Sequence, residues 1–225
     1  MKTKNNFRVL LFSSVICLLP ILLSLVYYND LPAQIAVHWN NAGDPDSFVP
    51  KAVACFGLPL LLLAINLFSK WFLYSDPKRE NTSQAMQLFA AWTPPVLSLV
   101  LVPVTLFIAM GVNIPISLVA SLLVGIVLLV CGNYLPKSRQ NYTIGIKLPW
   151  TLDNADNWNK THRLAGYLWM GGGVVFIIGA FIPENRTIWS LFFSIAIVLL
   201  LLLVPLLYSY FLYKKSRKKL DETEE

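Results

Sequence analysis

The chain has 225 residues, of which 56% are hydrophobic and only 13% charged, with a mean hydropathy of +0.60. Soluble domains carry about 25% charged residues, so the composition excludes an ordinary soluble globular protein and defines an integral membrane chain. The formal charge of +6 sits beside hydrophobic ends, where anionic membrane lipids account for it and direct nucleic-acid binding does not.

In chain order, residues 1–7 are polar and Arg8 opens an apolar run that continues to about Tyr28. The run is too long for a signal-peptide core and lacks a clean cleavage site, so it reads as a retained first helix. A polar loop, 29–50, follows, and then a second apolar run from about Lys51 to Tyr74. After the hydrophilic connection 75–86, no charge occurs between about Leu88 and Tyr134. One helix of that length would reach roughly 70 Å at 1.5 Å per residue, too long for one crossing. Gly111-Val112-Asn113-Ile114-Pro115 supplies the hairpin, predicting helices near 88–110 and 115–134. A fifth helix is predicted over about 164–182 and a sixth over 188–213, joined by a tight turn at Pro183-Glu184-Asn185-Arg186. The tail, Lys214 onward, is basic and then acidic and reads as disordered.

These elements predict an all-α integral membrane protein of six transmembrane helices. With the amino terminus in the cytoplasm, sixteen of the 18 Lys and Arg fall on the inner side, leaving Lys51 and Arg186 outside. That bias places both termini in the cytoplasm. The organisation is a two-helix unit, 1–87, with an extracytoplasmic loop 29–50; a transmembrane hairpin, 88–134; and a region, 135–225, comprising a cytoplasmic loop 135–163 and the last two helices.

Within the spans, Pro20, Pro59, Pro94, Pro95, Pro103 and Pro205 predict kinks, and Gly171-Gly172-Gly173 predicts close helix packing. No ionisable side chain is expected mid-span, which disfavours a pump or ion-coupled transporter. Cys17, Cys55 and Cys131 lie in apolar runs without metal or redox spacing and read as packing residues.

Two polar segments carry the chemistry. In the outer one, Ile35, Val37 and Trp39 alternate with Gln34, Ala36 and His38, as in a short extended piece, and Asn41-Ala42-Gly43-Asp44-Pro45 reads as a turn. His38, Asn40, Asp44 and Asp46 either converge on a cation or peptide amine, or only satisfy their own loop. One His and two Asp are weak metal spacing, and no metal or other cofactor is expected. The inner segment, Leu135 to Leu164, holds five basic residues, two Asp, a His and two Trp. Residues 141–149 alternate like an extended stretch under the headgroups. Thr151 or Asn154 then caps a helix, with Asp153 and Asp156 near its positive end. Trp158, His162, Ala165 and Trp169 share one face of that helix, and Lys160 and Arg163 lie elsewhere around it. The segment is either a cytoplasmic platform for a partner or an amphipathic lead-in to the fifth span.

The outer loop, LPAQIAVHWNNAGDPD, resembles an LP-x-x-I-x-x-H-x-N-x-x-G-x-x-D element found after the first helix of a bacterial membrane family. The inner segment, NYTIGIKLPWTLDNADNWNKTHRLAG, resembles the N-x-x-x-G-I-(R/K)-x-P-W-T-L … W-x-x-T-H-(R/K)-x-x-G signature of the SdpI family. Lys147 stands where Arg is common, keeping the charge but losing the planar fork. The resemblance implies an immunity protein that protects the producing cell from a secreted, membrane-active (SDP-like) peptide toxin. It also implies signalling by sequestering a winged-helix autorepressor at the membrane. The candidate toxin-binding residues are then His38, Trp39, Asn40, Gly43, Asp44 and Asp46. The candidate partner surface comprises Asn141, Gly145, Lys147, Pro149, Trp150, Thr151, Trp158, Thr161, His162 and Arg163. No enzyme activity is expected, since neither HExxH nor GxSxG occurs. A peptide exporter is the alternative, and a hydrolase using His38 with Asp44 or Asp46, or His162 with Asp153 or Asp156, a weaker one.

Overall fold

A computed structural model describes residues 2–40, 43–182 and 188–224. The expected turn at 183–186 and residues Asn41 and Ala42 of the expected outer turn lie outside the described residues. The chain forms two compact units, Met1–Tyr74 with Gln87–Ser117, and Ser75–Met86 with Leu118–Glu225.

The first unit begins with α1 (Lys2–Leu18) and α2 (Pro20–Tyr27), which meet at the expected Pro20 break. Two antiparallel strands follow, β1 (Gln34–Trp39) and β2 (Pro45–Pro50). They add a small hairpin to the helical class, and β1 contains the extended piece expected at 35–39. A π-helical turn, Val53–Gly57, leads into α3 (Leu58–Ser75), and α4 (Gln84–Ala109) contributes from Gln87 onward. Pro59 has no N–H for the Cys55 carbonyl, and the Ser24 hydroxyl donates to that oxygen instead, at 3.1 Å. Leu31 and Ile35 pack with Ala54, Cys55, Val102 and Leu106 into a buried core beneath the hairpin. Burying Ile35 alone is worth about 2 kcal/mol and fixes which hairpin face turns inward. After α4, the chain turns at Gly111, whose φ of +88° suits the glycine expected there.

Lys70 departs from expectation. It was assigned to a cytoplasmic segment, but it lies on α3 with 2% exposure, donating to Ser13 and to Asn66 Oδ1 at 2.7 Å. The i,i+4 spacing of Asn66 and Lys70 brings the amide to the ammonium. Lys70 lies five residues before the end of the candidate span Val53–Ser75, a buried cation near one end and not mid-span.

The second unit contains a 3-10 turn, Arg79–Asn81, then α5 (Ile116–Tyr134), a second 3-10 turn, Leu135–Lys137, α6 (Pro149–Asp153), α7 (Ala155–Gly179) and α8 (Ile188–Glu224). Helix α5 crosses α7 so closely that a Cβ on Gly132 would stand 2.7 Å from Met170 N, and one on Gly173 would stand 2.8 Å from Gly125 O. Of the glycine triple, Gly173 faces α5, Gly172 faces Leu201 of α8, and Gly171 has nothing within 4 Å of a built Cβ. The tail expected to be disordered is helical through Glu224. It extends an existing helix, so no new nucleus is needed, and Lys218 pairs with Glu222 one turn on, at 3.7 Å.

Among the described residues, five stretches are long and apolar enough to cross a membrane: Phe7–Tyr27, Val53–Ser75, Gln84–Ala109, Ile116–Lys137 and Ser194–Lys219. The remaining long helix, α7, is set apart by its polar start and its consecutive glycines. Large side chains such as Leu202 and Phe211 are exposed on α8, at 55% and 64%. In a chain of this composition such faces are lipid-contacting surface.

Candidate functional site

The outer hairpin presents its polar residues on the exposed side of β1 and β2. His38 Nδ1 stands 2.5 Å from Asp46 Oδ1, both side chains largely in solvent. Asn40 closes the turn: its N–H donates to the Asp44 carbonyl at 2.9 Å, and its side-chain oxygen accepts from Asp44 N at 3.0 Å. Gly43 holds a φ of +78°, a conformation that glycine adopts without strain. Trp39 is half-buried opposite Pro45, and Phe48 on β2 is 53% exposed. At the strand end, Lys51 donates to the Tyr28 carbonyl at 3.0 Å and lies over the Tyr28 ring. His38, Asp46 and Phe48 thus form an exposed ionisable and aromatic patch on a hairpin rooted through Leu31 and Ile35.

The inner segment is held by side chains in place of a sheet. Residues 138–148 form no strand and bend at 140 and 142–145, without the extended stretch expected at 141–149. Asn141, fully buried, explains this: its Oδ1 accepts from the backbone N–H groups of Thr143 and Ile144 at 3.0 and 2.7 Å. Such side-chain bonds compete with a strand ladder. Asp76 anchors the same loop from the preceding connection, accepting from Tyr142 N at 2.9 Å, Thr143 Oγ1 at 2.6 Å and Lys78 N at 2.7 Å. Three donors offset the cost of burying its carboxylate. Gln140 Nε2 reaches the Thr151 and Leu152 carbonyls of α6. The Thr151 hydroxyl donates to the Ile146 carbonyl at 2.8 Å and accepts from Leu148 N at 2.9 Å.

His162 is the centre of this lock. Its Nε2 accepts from the Ile146 N–H at 2.9 Å, and its Nδ1 donates to the Trp158 carbonyl at 2.7 Å. These partners select the neutral ring with the proton on Nδ1. Burial pushes its pKa down to about 4, outweighing the opposing pull of the Trp158 carbonyl. The Trp158 ring stacks on it at 3.9 Å, and the Trp158 indole N–H donates to the Ser138 carbonyl at 2.9 Å. Gly145 passes over both rings with φ +133°, where a Cβ would stand 2.5 Å from His162 Nε2. A glycine is required at this approach.

A second network ties the segment to α8. Trp150 Nε1 donates to Ser209 Oγ at 2.7 Å, and the Trp150 ring stacks on Tyr213 at 5.5 Å. Asn157 Nδ2 donates to the Ser209 carbonyl at 3.0 Å, while its Oδ1 accepts from Thr161 Oγ1 at 3.0 Å and Ser209 Oγ at 3.1 Å. Asn154 caps α7, accepting from Asn157 N at 3.0 Å.

Asn141, Thr151, Trp158, Thr161 and His162 therefore sit inside the segment, with Gly145 against them. Lys147, Pro149 and Arg163 are exposed, and Lys147 Nζ reaches back to the Tyr142 and Thr143 carbonyls at 3.1 and 3.2 Å. Sequence reasoning missed Asp76, Gln140, Asn157 and Ser209. Ser209 carried a readable signal, a small polar residue in the run Leu206-Leu207-Tyr208-Ser209-Tyr210. The others looked like ordinary loop or helix-start residues. The His162 ring is not arranged for hydrolysis. Both His162 nitrogens are engaged by backbone, Asp156 pairs with Lys160 at 2.7 Å, and among the described residues no group of His, Cys, Asp and Glu could hold a metal.

The fold and these two sites define a multi-pass membrane protein with an anchored β-hairpin and a polar segment locked onto its last helices. A model of the SdpI/YfhL protein family matches residues 137–209, from the start of that segment to Ser209. A model of a domain of unknown function, DUF1648, matches residues 15–63, which include the hairpin. Over 205 residues the chain is 30% identical to immunity protein SdpI of Bacillus subtilis strain 168, an alignment covering 91% of this chain and 96% of that protein. No solved structure matches significantly. The chain belongs to the SdpI family.

Proposed function

We propose that this chain is a six-span membrane immunity protein that protects its cell from a secreted, membrane-active SDP-like peptide. The observation that carries the reading is the 30% identity to immunity protein SdpI across 91% of the chain. In this reading α7 is the fifth span, because Val174, Val175 and Ile178 on its second half are exposed apolar side chains. Both termini and the 135–163 segment face the cytoplasm, following the positive-inside bias. The hairpin meets the peptide outside, through the His38–Asp46 pair and the neighbouring Phe48, an ionisable pair beside an aromatic ring that suits an amphipathic ligand. Residues Trp39, Asn40, Gly43 and Asp44 hold the shape of that contact. At the inner segment the locked residues Asn141, Gly145, Trp150, Thr151, Trp158, Thr161 and His162 support a surface bearing Lys147, Pro149 and Arg163. That surface is where a winged-helix autorepressor would dock.

The test is depolarisation of toxin-sensitive cells by an SDP-type peptide, with and without the protein. Expression is expected to prevent depolarisation, and His38→Ala or Asp46→Ala to reduce protection severalfold at equal membrane abundance. Unchanged protection in both variants removes the hairpin from the mechanism. A peptide exporter is the second reading, and the observation favouring it is Lys70, a buried intramembrane cation of the kind that marks transport pathways. Lys70→Met would abolish protection under that reading and leave it intact under direct immunity.

A further inference from the structure

One feature of the second unit lies outside the lock and the hairpin. A cleft of about 520 Å³ opens where the 3-10 turn after α5 meets the start of α7, lined by Asn81, Lys137, Ser138, Arg139, Gln140 and Asn159, among others. Its lining carries two cations and no carboxylate. The loop is fixed on both sides: Arg139 N donates to the Asn81 carbonyl at 2.8 Å, and Asn81 Nδ2 donates to the Gln140 carbonyl at 2.7 Å.

The donors are unevenly used. Gln140 spends its amide on the Thr151 and Leu152 carbonyls. Lys137 gives one hydrogen bond, to Asn133 Oδ1 at 3.1 Å, and keeps two N–H donors. Among the described residues, the Arg139 guanidinium and the Asn159 amide make no hydrogen bond. Ser138 is 2% exposed, and its hydroxyl is buried without a partner among the described residues. Leaving a buried hydroxyl unpaired is unfavourable. A guanidinium fork and an ammonium around an acid-free cleft are the donor set of an oxyanion site.

We propose that this cleft binds a phosphate-ester anion through Lys137 and Arg139. Two sources share that chemistry, a phospholipid headgroup and a soluble phosphate. The cleft lies at the end of an apolar stretch that finishes at Lys137, the level at which headgroups sit. Nothing in the proposal depends on toxin protection, so it stands or falls separately from the immunity reading.

The experiment uses full-length protein purified in a neutral detergent. In one arm, native mass spectrometry follows retention of phosphatidylglycerol against phosphatidylcholine; in the other, calorimetry follows inorganic phosphate. Lys137→Gln/Arg139→Gln is compared with wild type and with Lys160→Gln/Arg217→Gln, which removes the same charge elsewhere in this unit. The cleft pair is expected to weaken binding at least tenfold in one arm, with the control pair within twofold of wild type. Loss in the phosphatidylglycerol arm assigns a lipid, and loss in the phosphate arm a soluble phosphate. Equal binding by wild type and cleft variant in both arms overturns the proposal, as does equal weakening by the control pair. If the double variant does not fold, the single Arg139→Gln carries the same expectation at about threefold, judged by the same criteria.

Discussion

At the scale of single residues, the inner segment depends on one glycine and one histidine. Gly145 combines a φ of +133° with an approach that leaves no room for a methyl group over His162 and Trp158. Gly145→Ala meets both penalties, and overpacking plus backbone strain should cost about 3 kcal/mol or more. The expected result is rapid tryptic cleavage at Arg139 and Lys147, with the spans still protected. His162 predicts a pH dependence. Its folded pKa, about 4, lies below the ordinary value near 6.5, so between those values the unfolded chain binds more protons. Stability is complete above about pH 6.5 and falls as the pH drops towards 4, by about 3 kcal/mol in all. Thermal melting of purified protein between pH 7.5 and 4.5 should show this slope, and His162→Gln should flatten it. Equal slopes would assign the linkage to another group.

Among the elements, the α5–α7 crossing rests on two glycine pairs, Gly125 and Gly132 on one helix, Gly166 and Gly173 on the other. Each pair is seven residues apart, two turns along one face, so backbones touch where lipid would otherwise intervene. Gly132→Leu or Gly173→Leu should sharply lower the yield of monodisperse protein in detergent, whereas Gly171→Leu, with open space around it, should leave it near wild type. The glycine triple was legible as a packing device, but not which glycine meets which helix, because that depends on the partner's register. The same division holds elsewhere. The face carrying Trp158, His162 and Ala165 followed from helical spacing. That His162 would close on the backbone of Ile146 did not, because the Asp76 bonds that help hold the loop reach across 66 and 67 residues. The Lys70 burial was illegible for a similar reason: its partner Ser13 is 57 residues away.

Over the whole chain, apolar run length and the Gly111–Pro115 break located α4 and α5, and α3 with the π turn before it, within a few residues, because lipid sets a minimum span and charges punctuate it. Run length is weakest at α7, where a polar start and three glycines interrupt the apolar pattern, and this helix decides the topology. If α7 crosses the membrane, the 135–163 segment and the carboxyl tail lie on one side. If it does not, α8 alone crosses and the two lie on opposite sides. Single cysteines separate the cases: Phe48→Cys on the hairpin, Lys160→Cys on the inner segment and Asp221→Cys in the tail, all at exposed positions. The native thiols give a low background, since Cys17 and Cys55 are buried and Cys131 is half-buried. On intact cells an impermeant maleimide should label Phe48→Cys alone, and after permeabilisation all three. Labelling of Asp221→Cys on intact cells with Lys160→Cys still protected would show that α7 does not span. It would place the tail outside, with five of the 18 basic residues on the wrong side of the charge rule.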